Sequence, residues 1–282
     1  MKQLPFKQVD VFTDRPFRGN PLAVIINADE LSQEEMQHIA HWTNLSETAF
    51  ICSSTKADYR VRIFTPQSEL PFAGHPTIGS AHVVREAGIV DKNVTAFTQE
   101  CGAGLIALKL DEENNIYARV PQPKLLDFNL EVKELARAIA ANYLIEPILI
   151  DVGPLWLVAR LESGAEVSGL QVNFDRLTGL SQEAGMTGVT VYAFQEDRTV
   201  QVRSFAPAQG VPEDPVCGSG NAAVAAHLKA TGQREYVGDS YLAYQGAALG
   251  RDGRVRVCFE GEDILIGGVA VTVINGTVLV ES

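Results

Sequence analysis

The amino-acid sequence predicts an α+β protein of two similar domains, each a mostly β structure wrapped around one buried helix. Three observations predict it. First, the chain repeats itself. Val61-Arg62-Ile63-Phe64-Thr65-Pro66 returns as Val202-Arg203-Ser204-Phe205-Ala206-Pro207, Ala49-Phe50 as Ala193-Phe194, and Gln99 as Gln245. Asn27-Ala28-Asp29-Glu30-Leu31 likewise returns as Asn173-Phe174-Asp175-Arg176-Leu177. The offset runs only from 141 (61 to 202) to 146 (27 to 173), as a duplicated domain requires. Second, β-branched and aromatic runs bounded by Gly, Pro, Asn or Asp dominate both halves. Third, two alanine-rich segments, Thr77–Ala87 and Asn221–Ala230, are apolar on most sides, and a helix apolar all round is a buried one.

In chain order, the first half offers strands Val9–Phe12, Leu22–Ile26, Ala49–Cys52, Tyr59–Thr65, Val94–Thr98, Leu105–Leu110 and Ile116–Val120. Its first helix runs from about Ser32 to Trp42. Ser32 and Glu35 form a capping box and Leu31 staples to Met36. Met36, Ile39, Ala40 and Thr43 supply the inward stripe. Gly88 ends the second helix, Thr77–Ala87. The other half repeats the series with Ile148–Asp151, Leu155–Leu161, Val189–Phe194, Val200–Phe205, Ala243–Gln245 and Val255–Phe259. Ile264–Leu279 supplies the last strands, Gly232 ends the helix Asn221–Ala230, and two helices are expected per half. The boundary falls near Pro121–Leu130, giving domains 1–125 and 126–282, and 282 residues suffice for two ordinary cores.

Composition narrows the class. A hydrophobic fraction of 46% and a charged fraction of 21% belong to a soluble globular protein. Lys and Arg total 23 against 35 Asp and Glu, a net charge of −12 without a basic cluster, so nucleic acid is not the expected partner. Met1–Phe6 shows no signal-peptide pattern, and the apolar run Ile264–Ile274 is too short to span a bilayer. Cys52, Cys101, Cys217 and Cys258 lie far apart with no CxxC pair, which suits a cytoplasmic, reducing location.

Function is expected where the two buried helices begin. Ala73-Gly74-His75-Pro76-Thr77 opens the first and Cys217-Gly218-Ser219-Gly220-Asn221 the second. Gly74 and Gly218 let the backbone turn, and first-turn N–H groups lack intrahelical partners. With the macrodipole they form a place for an anion such as a carboxylate. One such motif reads as turn punctuation; two in equivalent halves read as a site.

Glu47, in Ser46-Glu47-Thr48-Ala49-Phe50, stands at the mouth of a strand entering apolar sequence. Desolvated there it can shuttle a proton near neutral pH; solvated, it is an ordinary strand-end acid. His75 is either a proton-relaying imidazole facing the ligand or a polar surface residue. Asp214 reads first as a turn-former before Pro215. Cys217 is either an activated thiol at a helix start or a small buried residue. Ala73 stands at its repeat equivalent, so the two thiols of a stereoinverting pair are absent. His38 and His41 lack a third metal ligand and read as an exposed face; His82 and His227 read as packing histidines. No Walker loop or Rossmann fingerprint is present, and no cofactor or metal is implied. Phe17, Trp42, Trp156 and Tyr192 are candidate wall residues.

The segments Val9-Asp10-Val11-Phe12-Thr13, Pro16-Phe17-Arg18-Gly19-Asn20-Pro21, Ser46-Glu47-Thr48-Ala49-Phe50, Arg62-Ile63-Phe64-Thr65-Pro66, Gly74-His75-Pro76-Thr77 and Asp214-Pro215-Val216-Cys217-Gly218-Ser219-Gly220 occur in one order. In that order the chain resembles the phenazine-biosynthesis PhzF-like isomerases, relatives of diaminopimelate epimerase. The resemblance implies two domains, each a β-barrel-like sheet around a central helix, with the active site in the inter-domain cleft. It implies that the last strand pairs back with the first domain. It also implies a homodimer and cofactor-independent isomerisation of a small carboxylate-bearing molecule. Glu47 would be the acid–base residue; His75 and Asp214 would bind and orient substrate. Gly74, Gly218, Ser219, Gly220 and Cys217 would line the substrate site, Ser219 and adjoining backbone holding a carboxylate. The departure is Cys217, where the phenazine enzyme carries threonine and the epimerases a catalytic cysteine.

Three functions follow as expectations. In the first, Glu47 alone removes a proton and returns it elsewhere. The second is epimerisation or racemisation by Glu47 with Cys217. The third is a small-acid binding protein without turnover.

Overall fold

The computed structural model describes residues 2–280, and the chain divides into two compact units. The first takes the chain up to Arg119 together with the segment from Gly267 onward; the second is Val120–Ile266. The division falls at Arg119–Val120 rather than at 125, and the last strand pairs back with the first unit, as the resemblance implies. Backbone pairing sets the division: Ala270–Val280 runs antiparallel to Lys2–Val11, with Lys2 opposite Val280 and Val11 opposite Ala270.

Within the first unit Lys2–Val11 also pairs antiparallel with Asn20–Ile25, which runs parallel to Thr48–Cys52. Thr48–Cys52 is antiparallel to Tyr59–Phe64, which is parallel to Ala96–Cys101, itself antiparallel to Gly104–Leu110. Within the second unit Ile145–Asp151 is antiparallel to Leu155–Arg160, which is parallel to Gly188–Phe194. Gly188–Phe194 is antiparallel to Val200–Ala206, which is parallel to Ser240–Gln245, itself antiparallel to Gly253–Glu260. Order and sense are the same in both. The sequence repeat is a structural repeat.

Each unit encloses its helix. Gly74–Glu86 packs against Lys2–Val11, Asn20–Ile25, Thr48–Cys52, Tyr59–Phe64, Ile116–Arg119 and Ala270–Val280, and Ile78, Ala81, Val83 and Val84 are wholly buried. A Cβ at Gly79 would lie 2.6 Å from Leu22 and 2.9 Å from Val11, so glycine is what lets the sheet close on this helix. Gly218–Ala230 packs in the same way against Ile145–Asp151, Leu155–Arg160, Gly188–Phe194 and Gly253–Glu260. Both helices begin about three residues before the expected Thr77 and Asn221. Ala73 and Cys217 are the extended caps, and the glycines are the first helical residues.

The outer helix Gln33–Thr43 has the expected Ser32–Glu35 capping box in full. Met36 and Ala40 are buried and Ile39 partly so, on a core with Leu4, Ile25, Phe50 and Phe64. The second unit departs from the expectation of two helices. Besides Phe174–Ala184 and the central helix it carries Val132–Ile139 and the short Gly164–Gly169. Leu135 and Ile139, one turn apart, are buried in the second core with Val167 and Leu177. Among the described residues no helix is long and apolar enough to cross a membrane.

Candidate active site

Glu47 stands one residue before Thr48–Cys52, and His75 is the second residue of the first central helix. Twenty-eight positions apart in sequence (47 to 75), they meet: His75 Nδ1 lies 3.4 Å from Glu47 Oε2. His75 is only 3% exposed. Burial pushes its pKa below the ordinary 6.5, against the opposing pull of Glu47 and a hydrogen bond to the backbone of Pro21. The imidazole is therefore neutral at pH 7. Glu47 Oε2, His75 Nε2 and the nearby Ser46 Oγ are all buried without a hydrogen-bond partner. Proteins seldom leave such atoms unpaired, and each calls for an explanation, a catalytic role among them. Pro76 follows at a first-turn position where its missing N–H costs nothing.

A second cluster forms in the other unit. Cys217 caps Gly218–Ala230 with sulfur, Sγ accepting from the Gly220 N–H at 3.2 Å. Burial, with the Asp214 carboxylate beside it, drives the thiol well above its ordinary 9.0. Cys217 is thus a buried helix cap. Asp214 forms a turn as its residue type suggests, Oδ1 accepting from the Val216 N–H at 3.1 Å. Gly220 N–H is taken by the thiol rather than held ready for a substrate. A Cβ on Gly220 would also fall 2.4 Å from Ser204 Oγ, so only glycine fits. Ser219 is half-buried and accepts a 3.0 Å hydrogen bond from Trp156 Nε1.

Neither Gly74 nor Gly218 is among the residues with positive φ. Their place at a helix start, rather than a left-handed turn, is what presents the N–H groups. Gln245 was missed as a site residue, although its recurrence from Gln99 was visible. Its Oε1 accepts from Cys217 N–H at 3.1 Å and Asn221 Nδ2 at 2.9 Å, while its Nε2 donates to the Asp214 carbonyl at 3.0 Å. Gln99 does the same work in the first unit, accepting from Tyr59 and donating to Thr77.

The candidate wall residues divide. Phe17 and Trp42 are 70% and 83% exposed, Trp156 is buried against Ser219, and Tyr192 is buried with its hydroxyl 3.0 Å from His227 Nδ1. Tyr192 is core, and His227 is satisfied as expected, its Nε2 against the Glu146 carbonyl. His38 and His41 are exposed, and no metal-ligand cluster of three His, Cys, Asp or Glu forms among the described residues.

A duplicated sheet-around-helix unit is the fold shared with a hydroxyproline epimerase of Agrobacterium vitis (TM-score 0.67, 16% identity, covering 98% of this chain and 92% of that one), a likeness of fold alone. It is closer to a PhzF-family phenazine biosynthesis protein of Bacillus anthracis: TM-score 0.86, 28% identity, 99% of this chain and 100% of that one. The phenazine biosynthesis-like family model, PhzC-PhzF, matches residues 9–276, and the chain belongs to that family. A Schizosaccharomyces pombe relative named antisense-enhancing sequence 1 is 41% identical, across 98% of this chain and 99% of its own. The trans-2,3-dihydro-3-hydroxyanthranilate isomerase of Pseudomonas chlororaphis is 33% identical, across 96% and 98%.

Proposed function

We propose that this chain is a cofactor-independent isomerase that moves a proton on a small carboxylate-bearing metabolite, with Glu47 as both acid and base. The observation that carries the reading is the pairing of a buried His75 with a half-buried Glu47, whose Oε2, like His75 Nε2, is a buried atom without a hydrogen-bond partner. Glu47 takes a proton from a carbon activated by a neighbouring carboxylate or double bond. The electron pair left behind shifts through the unsaturation, and Glu47 returns the proton to the far carbon. No redox partner is consumed. A neutral His75 matters here, because an imidazolium at 3.4 Å would hold Glu47 as an ion pair and weaken it as a base. The backbone N–H groups of Gly74 and His75, at the start of the helix that carries the imidazole, suit the developing negative charge.

The alternative of epimerisation with Cys217 as second base is less well supported. A thiol held protonated by burial, and already accepting from Gly220, is a poor proton acceptor. Asp214 then serves to orient substrate. The family reading carries a homodimer with it, which light scattering at micromolar concentration checks.

The test begins with trans-2,3-dihydro-3-hydroxyanthranilate, the compound in the relative's name, and a panel of small carboxylates. Glu47→Gln keeps shape but cannot accept a proton, so turnover should fall at least about a thousandfold while ligand still raises Tm. An active Glu47→Gln beside a dead Cys217→Ser overturns the assignment. Binding without turnover in the wild type favours a binding protein.

A further inference from the structure

We infer that Trp156 is a positioning residue that holds the Ser219 hydroxyl in place, so that it gives its hydrogen to a substrate carboxylate. This rests on the functional reading above and adds to it a residue that touches no substrate. Trp156 is the second residue of strand Leu155–Arg160 and is only 2% exposed. An indole N–H can only donate, and a buried one needs an acceptor. Its acceptor is Ser219 Oγ, at 3.0 Å.

A serine oxygen that is accepting on one side still has its own hydrogen to give. Ser219 Oγ also lies 3.5 Å from Cys217 Sγ, a weak contact in which either group can donate and whose sulfur already accepts from the Gly220 N–H. A carboxylate oxygen is a far stronger acceptor and would take the hydroxyl hydrogen from the thiol. Trp156 thus occupies one of the two lone pairs of Ser219 Oγ and holds the hydroxyl in place with its hydrogen still to give. A charged carboxylate takes that hydrogen more strongly than the neutral oxygen of a carboxamide does.

The repeat supports a designed contact. Ser219 and His75 are both the second residue of their central helix. His75 is held by the backbone of Pro21, on strand Asn20–Ile25. That strand takes the same place in the pairing order as Leu155–Arg160, which carries Trp156. One scaffold position therefore fixes a proton-handling imidazole in one unit and a donor hydroxyl in the other.

The chain has two tryptophans, and the other, Trp42, is 83% exposed, so Trp42→Phe leaves Trp156 as a buried single reporter. Sodium benzoate and 3-hydroxyanthranilate, a stable aromatic relative of the candidate substrate, are titrated against this variant. We expect a saturable change in Trp156 emission with at least one acid, abolished by Ser219→Ala. In calorimetry against that acid, Trp156→Phe and Ser219→Ala should each weaken binding about fivefold to tenfold. The double variant should be no weaker than Ser219→Ala alone, because Trp156 acts only through that hydroxyl. A purely structural Trp156 would lower Tm in every background and leave affinity unchanged or the two effects additive. That result overturns the inference while the isomerase reading stands. If the wild type turns over substrate yet benzamide binds as tightly as benzoate, the anion selectivity is wrong. If no acid binds or turns over in the wild type, the functional reading fails and this inference with it.

Discussion

Cys217 shows how one residue type changes meaning with its surroundings. At a helix start, partly solvated, a thiol is activated by the dipole; here it is 3% exposed beside Asp214, and burial wins. What remains is a cap, with sulfur in the place usually taken by a serine or aspartate oxygen. Cys217→Ser keeps a side-chain acceptor and should change stability by less than about 1 kcal/mol, whereas Cys217→Ala should cost about 1 kcal/mol in urea unfolding. Native titration with a thiol reagent should modify the half-buried Cys258 first and leave Cys217 unmodified until the protein unfolds. Rapid labelling of Cys217 at pH 7 would reopen the thiol as a participant in chemistry.

Each central helix is built into its unit by polar contacts as well as by apolar packing. Gln245 joins the end of one strand to the Asp214 carbonyl, the Cys217 N–H and the Asn221 amide. Gln99 joins Tyr59 to Thr77. A second repeated device lies beside them: Arg62 pairs with Glu69 over Phe64, and Arg203 with Glu213 over Phe205. Arg203–Glu213 ties down the strand Val211–Asp214 that ends in the site. Gln245→Leu would leave several buried polar groups unpaired and should cost about 3 kcal/mol, read as a lower urea midpoint. It should also loosen ligand binding, because it frees the Asp214–Gly220 segment. Gln99→Leu breaks fewer bonds and should cost about 2 kcal/mol. Equal, negligible losses at both positions would show that packing alone seats the helices.

Across the molecule, buried titrating groups set a stability window. His75, His82 and His227 all have folded pKa values below the ordinary 6.5, with burial the leading cause. The unfolded chain therefore binds protons that the folded chain refuses. Stability is full above 6.5 and falls as pH drops from there toward the folded values. Cys52, Cys101 and Cys217 have folded values above the ordinary 9.0, again through burial, so stability falls as pH rises beyond 9.0. Differential scanning fluorimetry should show a Tm plateau between about 6.5 and 9, and His75→Asn should shallow the acid limb. A flat Tm down to pH 4 would show that these histidines are not held neutral.

By itself the sequence determined the duplication, the two buried helices and the Ser32–Glu35 cap, and it singled out Glu47, His75, Asp214 and Cys217 as candidates. Each of these is a local pattern or a repeat: the 3.6-residue period, a capping spacing and a near-constant offset need no knowledge of long-range contacts. Only the tertiary structure brought Glu47 against His75, Trp156 against Ser219 and Gln245 into the Cys217 cap. Only it returned Ala270–Val280 to Lys2–Val11 and turned the thiol from candidate base to cap. These depend on which strands become neighbours and on how far water is excluded. A side chain's role follows from that burial, and burial belongs to the whole fold rather than to any window of the chain.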